Sequence, residues 1–99
     1  MENDYHFIGD VNMVNIIVRH KVEDFGKWKP LYEEHASARK EAGCQSDQVL
    51  QNGEDPNDVA VYFDWDSLEN FKKFGDSDEL KESMQKAGVV GKPDFYYSE

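Results

Sequence analysis

The segment Val11–Val22 (VNMVNIIVRHKV) constrains the fold more than any other part of the sequence, because it is β-rich and nearly continuous in apolar residues. This pattern is typical of a central strand that is covered on both faces of its sheet. A chain of 99 residues has room for one hydrophobic core. Its own helices can cover one face of such a sheet, so we expect a second copy to cover the other face.

The start of the first helix is predicted from its capping and breaking residues. Asp24 offers an N-cap, but Pro30 would then lie inside the helix, where it lacks a backbone donor. We therefore expect a separate turn over 24–28 and a main helix that starts near Lys29, with Pro30 in its first turn. Gly43 is placed to end that helix.

Turn residues and hydrophobic alternation predict the remaining elements. Two strands, Cys44–Asn52 and Asp58–Trp65, are joined by the turn-rich segment NGEDPN and form an antiparallel hairpin. The later elements are a short helix that carries Leu68, Phe71 and Phe74 on one side, a helix over Asp78–Ala87 and a strand near Asp94–Ser98.

The order β-α-β-β-α-β predicts an α+β, ferredoxin-like domain with a four-stranded antiparallel sheet and helices on one face. Residues 1–11 are polar and patternless, and we expect them to form a flexible leader. Residues 12–99 are then the single domain of the chain.

Composition and charge exclude several classes of partner. A formal net charge of −10 argues against nucleic acid and anionic membranes, because no surplus of Lys and Arg is present to displace counterions. No apolar run approaches the roughly 18 residues of a membrane span, and the N-terminus lacks the pattern of a signal peptide. The lone Cys44 agrees with a reducing compartment, so we expect a cytoplasmic protein. The spacing of His and Cys matches no metal site.

One face of the first helix carries polar side chains where a plain core would carry aliphatic ones. On a helical wheel Trp28, Tyr32, His35 and Arg39 fall within one arc. Burying histidine and arginine costs free energy unless they find partners, so this face predicts a pocket. Because of Pro30, Trp28 has a second possible position, in the turn before the helix.

Each polar residue of this face has a functional and a structural interpretation. His35 is a candidate general base or acid. Arg39 can hold a substrate carboxylate or an enolate oxygen through its planar fork, and Tyr32 is a candidate hydroxyl donor. The structural alternatives are a core histidine bonded to backbone or to Tyr32, and an arginine paired with Asp64 or Glu41.

The residues after the third strand carry a family resemblance. Trp65-Asp66-Ser67, followed by Leu68-Glu69-Asn70-Phe71 and by Ser77-Asp78-Glu79-Leu80, resembles the dimeric α/β-barrel superfamily. Within it the chain is similar to small antibiotic biosynthesis monooxygenase-like proteins, whose third strand runs into a W-[ED]-S step. The segment Val22–Lys29 resembles a small, mostly uncharacterised cyclase-like branch. The resemblance implies that two copies pair sheet-to-sheet as a dimeric α/β barrel.

The resemblance also implies site residues and the absence of a cofactor. Asn15 on the first strand and Trp65 at the end of the third match pocket residues of cofactor-free monooxygenases and haem-degrading relatives. Haem-degrading relatives need a histidine on the second helix, where this chain has Met84. We therefore expect no cofactor, and we count Asn15, Trp65 and Trp28 as candidate substrate-binding residues.

The sequence leaves more than one function open. One is a small-molecule enzyme that performs cofactor-free oxygenation, cyclisation or isomerisation of an aromatic or polyketide-like substrate. In it His35 is the general base, and Arg39, with Asn15 or Tyr32, stabilises the oxyanion. Another is a non-catalytic ligand-binding or regulatory module with the same pocket, and a third is a structural domain. Whichever holds, we expect a homodimer, and the first two take an apolar small-molecule ligand.

Overall fold

The computed structural model describes residues 13–98 of the chain. The predicted leader, residues 1–11, lies outside the described residues. In chain order the elements are β1 (Val14–Val22), α1 (Phe25–Glu34), α2 (Ala36–Ala42), β2 (Cys44–Gln51), β3 (Asp58–Trp65), α3 (Leu68–Gly75), α4 (Asp78–Lys86) and β4 (Val89–Ser98).

The strands form one four-stranded antiparallel sheet in the order β2-β3-β1-β4. Strand β1 is therefore an inner strand, as its apolar run predicts, and β2 and β3 form the predicted hairpin. Helices α1 and α2 connect β1 to β2, and helices α3 and α4 connect β3 to β4. The predicted α+β, ferredoxin-like fold is confirmed, with two helices in each of the two helical segments.

Strand register decides which side chains meet the helices. Val14 pairs with Trp65 and Ile16 pairs with Phe63, and all four side chains are buried on the helix side of the sheet. They share the core with Val22, Trp28, Cys44, Val59, Val61 and Ala87. Successive side chains of a strand point to opposite faces, so the residues between these form the outer face.

The outer face carries an apolar row that no other part of residues 13–98 covers. Ile17 lies opposite Tyr62 of β3 and Tyr96 of β4, and Leu50 of β2 lies on the same face. Ile17 is 43% exposed and Tyr96 is 66% exposed. The row crosses all four strands, and exposed apolar patches of this kind are typical of interaction surfaces.

Helix α1 begins earlier than the sequence predicts. It starts at Phe25 behind the N-cap Asp24 and contains Pro30 in its interior, so the predicted separate turn and later helix start are wrong. The break in the helical segment comes at His35 instead. Trp28 is buried in the core two residues before the proline, and its burial offsets the hydrogen bond that proline cannot donate.

Strand β4 is longer than the predicted Asp94–Ser98, because it begins at Val89. Its register against β1 shifts between Arg19 and Lys21. Gly91 lies in this irregular part with a φ of +72°, a conformation that favours glycine. A bulge interrupts the alternation of buried and exposed side chains, so the sequence pattern indicates a strand only after the bulge, near Asp94.

Candidate functional site

Three of the predicted site residues form one continuous stack on the helix side. The ring of Tyr32 lies 4.9 Å from that of Trp28 in a stacked arrangement, and the guanidinium carbon of Arg39 lies 3.7 Å from the centre of the Tyr32 ring. Arg39 Nη1 donates a 2.7 Å hydrogen bond to the Tyr32 carbonyl oxygen. Arg39 is only 6% exposed, so its charge is held against an aromatic face inside the fold.

The partner of this stack is Asp47, on the edge strand β2. The Tyr32 hydroxyl donates a hydrogen bond to Asp47 Oδ2, and Arg39 Nη2 lies 3.6 Å from the same oxygen. Burial, and then the neighbouring carboxylate, raises the pKa of the Tyr32 hydroxyl. Tyr32 is therefore a neutral hydrogen-bond donor at ordinary pH. The sequence suggested Asp64 or Glu41 as an ion-pair partner of Arg39, but its partner is Asp47.

A cleft of about 380 Å³ opens beside the stack, between α1, α2 and the edge of the sheet. Its volume lies within the range of small-molecule sites. Two cationic and two anionic side chains line it together with small and apolar ones: Lys29, Tyr32, Glu33, Ala36, Arg39, Asp47 and Val49. The cleft therefore combines a phenol, a guanidinium and a carboxylate within one small volume.

His35 does not belong to this cleft. It lies at the break between α1 and α2 with its ring directed to α4, where Nε2 is 3.1 Å from the Ser83 hydroxyl. Nδ1 is 3.0 Å from the carbonyl oxygen of Leu31. Both ring nitrogens thus have partners, and the structure does not bring His35 and Arg39 to one site.

Asn15 lies on the opposite face of the sheet from the stack. Its side-chain amide donates to Asp64 Oδ1, and its carbonyl oxygen accepts from the Ser98 hydroxyl at 3.3 Å. The other carboxylate oxygen of Asp64 accepts from the Ser46 hydroxyl at 2.7 Å. Within one chain the structure does not bring Asn15 and Arg39 to one site, because the strand register places Asn15 opposite Asp64 on the outer face.

Trp65 is fully buried in an aromatic cluster beneath α3. Its ring lies 5.5 Å from the rings of Phe71 and Phe74 and 6.1 Å from that of Phe63. A ligand cannot stack on Trp65 without displacing these side chains. Within the described residues its indole nitrogen has no hydrogen-bond partner.

Among residues 13–98, the remaining reactive groups do not form a metal or thiol site. Across residues 13–98, no three His, Cys, Asp or Glu side chains are close enough together to hold a metal ion. Burial raises the pKa of the Cys44 thiol to about 11, which makes it a poor nucleophile at neutral pH. None of the helices in this part of the chain is long and apolar enough to cross a membrane.

A family model decides the identity of the fold. The model for antibiotic biosynthesis monooxygenases matches residues 13–86, which include all of the helices and the first three strands. The chain belongs to the antibiotic biosynthesis monooxygenase family. The predicted resemblance to antibiotic biosynthesis monooxygenase-like proteins is confirmed.

Solved structures share the architecture of this monooxygenase family member at low sequence identity. A candidate antibiotic biosynthesis monooxygenase from Bordetella bronchiseptica is 16% identical with a TM-score of 0.74, and 89% of this chain covers 96% of that one. A conserved protein from Methanosarcina mazei is 14% identical with a TM-score of 0.73, with 94% and 97% covered. SnoaB, a cofactor-independent oxygenase from Streptomyces nogalater, is 11% identical with a TM-score of 0.69, with 89% and 94% covered. No curated protein matches the chain.

Sequence reasoning did not single out two residues that contact this stack, Asp47 and His20. The His20 ring is buried on the helix side, 5.5 Å from the ring of Trp28, and extends the stack to β1. Burial lowers the pKa of His20, so its imidazole is neutral at ordinary pH. Alternation held a usable signal for His20, because it shares strand parity with the buried Ile16. No such signal pointed to Asp47, whose position depends on how β2 meets the helices.

Proposed function

We propose that this chain is a cofactor-free enzyme of the antibiotic biosynthesis monooxygenase type that acts on an aromatic or polyketide-like molecule by oxygenation, cyclisation or isomerisation. The observation that carries the proposal is Arg39, which is nearly buried, stacked on Tyr32 and directed at Asp47 beside an open cleft. The family and the likeness to SnoaB, named as a cofactor-independent oxygenase, support the type of chemistry.

The cleft contains the groups that such a reaction needs. Asp47 accepts the acidic proton of a phenol or of an activated carbon, and the substrate keeps the electron pair as a phenolate or enolate. Arg39 stabilises this anion with its positive charge, and the neutral Tyr32 hydroxyl, which donates to Asp47 Oδ2, positions the base. In the oxygenation, the anion reduces dioxygen: one oxygen atom forms a bond to a ring carbon, the O–O bond breaks, and the second oxygen atom leaves as water with the two hydrogens that the substrate loses, so that a phenol becomes a quinone. In the other two reactions the anion cyclises or rearranges. His35, the base expected from the sequence, has no part in this assignment because Leu31 and Ser83 hold its ring nitrogens.

Turnover of a panel of polycyclic phenols and aromatic ketones tests the proposal. Oxygen uptake and product mass distinguish the reactions: oxygenation adds oxygen, cyclisation that condenses the chain removes water, and isomerisation leaves the mass unchanged. Arg39→Met, Tyr32→Phe and Asp47→Asn are each expected to reduce kcat, whereas Lys40→Met, an exposed charge on the same helix, is the matched control. No turnover with any member of the panel, in air or under argon, would contradict the proposal.

The second candidate function, a non-catalytic ligand-binding module, predicts a different result. Members of the panel would raise the melting temperature and be recovered chemically unchanged. The same cleft would serve as the binding site, so loss of stabilisation in Arg39→Met together with absence of turnover would favour this function.

We also propose that the protein is a cytoplasmic homodimer. The exposed row on the outer face, from Leu50 through Tyr62 and Ile17 to Tyr96, supports association through this face. Ile17 lies opposite Tyr62 and Tyr96, and Leu50 lies on the same face, so a second copy of this face would bury these side chains together. The single cysteine of the sequence supports a reducing compartment.

A further inference from the structure

The guanidinium group of Arg39 is buried but not fully hydrogen-bonded. Among the described residues, its one hydrogen bond runs from Nη1 to the carbonyl oxygen of Tyr32. Nη2 lies 3.6 Å from Asp47 Oδ2, which is longer than a hydrogen bond. That oxygen instead accepts a hydrogen bond from the Tyr32 hydroxyl. Arg39 thus reaches the cleft with donor capacity that the fold does not use.

The other charges that face the cleft are already partnered. Lys29 Nζ lies 3.1 Å from Glu33 Oε2, one helical turn away. Asp47 accepts a hydrogen bond from the Tyr32 hydroxyl and lies 3.6 Å from Arg39 Nη2. The lining therefore has no net charge, while the whole chain carries −10. Among these charged side chains, Arg39 is the one whose N–H groups lack hydrogen-bond acceptors within the described residues.

We propose that the cleft binds a small, planar carboxylic acid as its carboxylate, with Arg39 as the anchoring residue. This inference rests on the proposed function and names the substrate class of the same site. The planar fork of arginine matches the two oxygens of a carboxylate, and charge-assisted hydrogen bonds of this type are stronger than neutral ones. Ala36 and Val49 supply apolar walls for the body of the acid.

A carboxylate suits the cleft better than a phosphate does. The carboxylates of Glu33 and Asp47 also line the cleft, and a dianion would meet repulsion from both. A monoanion replaces the distant Asp47 at Arg39 with a close partner and leaves the Tyr32 hydrogen bond in place. The Tyr32 ring is not open to stacking by a ligand, because Trp28 and the Arg39 guanidinium already stack on it. The carboxylate, not ring stacking, is therefore the main attachment.

Binding of benzoate and 2-naphthoate, compared with the matched neutral amides, tests the inference. Titration calorimetry and amide chemical shifts are expected to show binding of the acids, with shifts at Arg39, Asp47 and Val49, and about tenfold weaker binding of the amides. Arg39→Met is expected to abolish the preference for the acid, and Lys40→Met is expected to keep it. Inorganic phosphate is the competing anion and is expected to bind more weakly than benzoate.

A second variant keeps the test decisive if Arg39→Met fails to fold. Asp47→Asn leaves Arg39 in place and removes the carboxylate that competes for it, so it is expected to tighten benzoate binding several-fold while it lowers turnover. Equal affinity for acid and amide, weaker acid binding in Asp47→Asn, or shifts confined to the exposed rings of Phe95 and Tyr97 would overturn the inference. Acid binding without turnover would overturn the proposed function alone, and turnover of neutral phenols without acid preference would overturn this inference alone.

Discussion

His35 occupies the break between α1 and α2, and its ring links that break to α4. Removal of the ring in His35→Ala leaves the Ser83 hydroxyl and the Leu31 carbonyl oxygen without this partner. We expect the unfolding free energy to fall by about 1–2 kcal/mol, measured by urea denaturation. Ser83→Ala, which removes one of the two bonds, is expected to cost less. A stable His35→Ala protein without turnover would contradict this structural role and restore the general-base hypothesis.

His20 gives the stability of the chain a dependence on pH. Burial lowers the pKa of its imidazole below the ordinary 6.5, so in mild acid the unfolded chain binds a proton that the folded chain does not. The unfolding free energy is therefore highest above pH 6.5 and falls as the pH drops toward the folded pKa. Urea midpoints at about pH 7.5 and about pH 5.5 measure this loss, and His20→Phe is expected to reduce it.

The loss of stability from His20 occurs at a higher pH than the loss from the ion-paired carboxylate of Asp58. Arg19 holds the pKa of Asp58 below its ordinary 3.8, so the contribution of Asp58 is lost only at lower pH than that of His20. If His20→Phe kept the full loss between the two pH values, another group would be responsible.

At the scale of the elements, the junction from α2 to β2 depends on one glycine. Gly43 ends α2 with a φ of +128°, and a Cβ at this position would collide with the carboxylate of Asp66. Gly43→Ala is therefore expected to lower the unfolding free energy by more than about 1 kcal/mol. Gly53→Ala, in the hairpin turn with open space around it, is the control. Equal denaturation midpoints for the two variants would contradict the account.

The sequence predicts the elements better than it predicts the site, for physical reasons. Period-two alternation predicts the bounds of β3 correctly, because from Val59 to Trp65 every second side chain is buried and those between are more exposed. The helical wheel assumes an unbroken helix, and the break at His35 sends that side chain to α4 while Arg39 turns to β2. Asn15 needed the strand register before its face could be known.

At the scale of the whole molecule, the apolar row of the outer face is the surface through which we expect a second copy to associate. Placing a charge at its centre in Ile17→Lys is expected to convert a two-chain particle into a single chain, because a buried lysine without a partner is costly. Light scattering at micromolar concentration measures the mass. Phe95→Lys, a similarly exposed position on the helix side, is the control that should keep the dimer. A single-chain mass for the unaltered protein would contradict the dimer.

The stack from Arg39 to His20 also makes the protein its own optical sensor. Trp28 and Trp65 are the only indoles of the chain, and Trp28 lies against Tyr32, which borders the cleft, whereas Trp65 is enclosed by Phe63, Phe71 and Phe74. A molecule that enters the cleft is therefore expected to change the emission of Trp28 and leave that of Trp65 unaltered. In Trp65→Phe the whole tryptophan fluorescence then reports occupancy of the cleft, so ligands can be screened without a label.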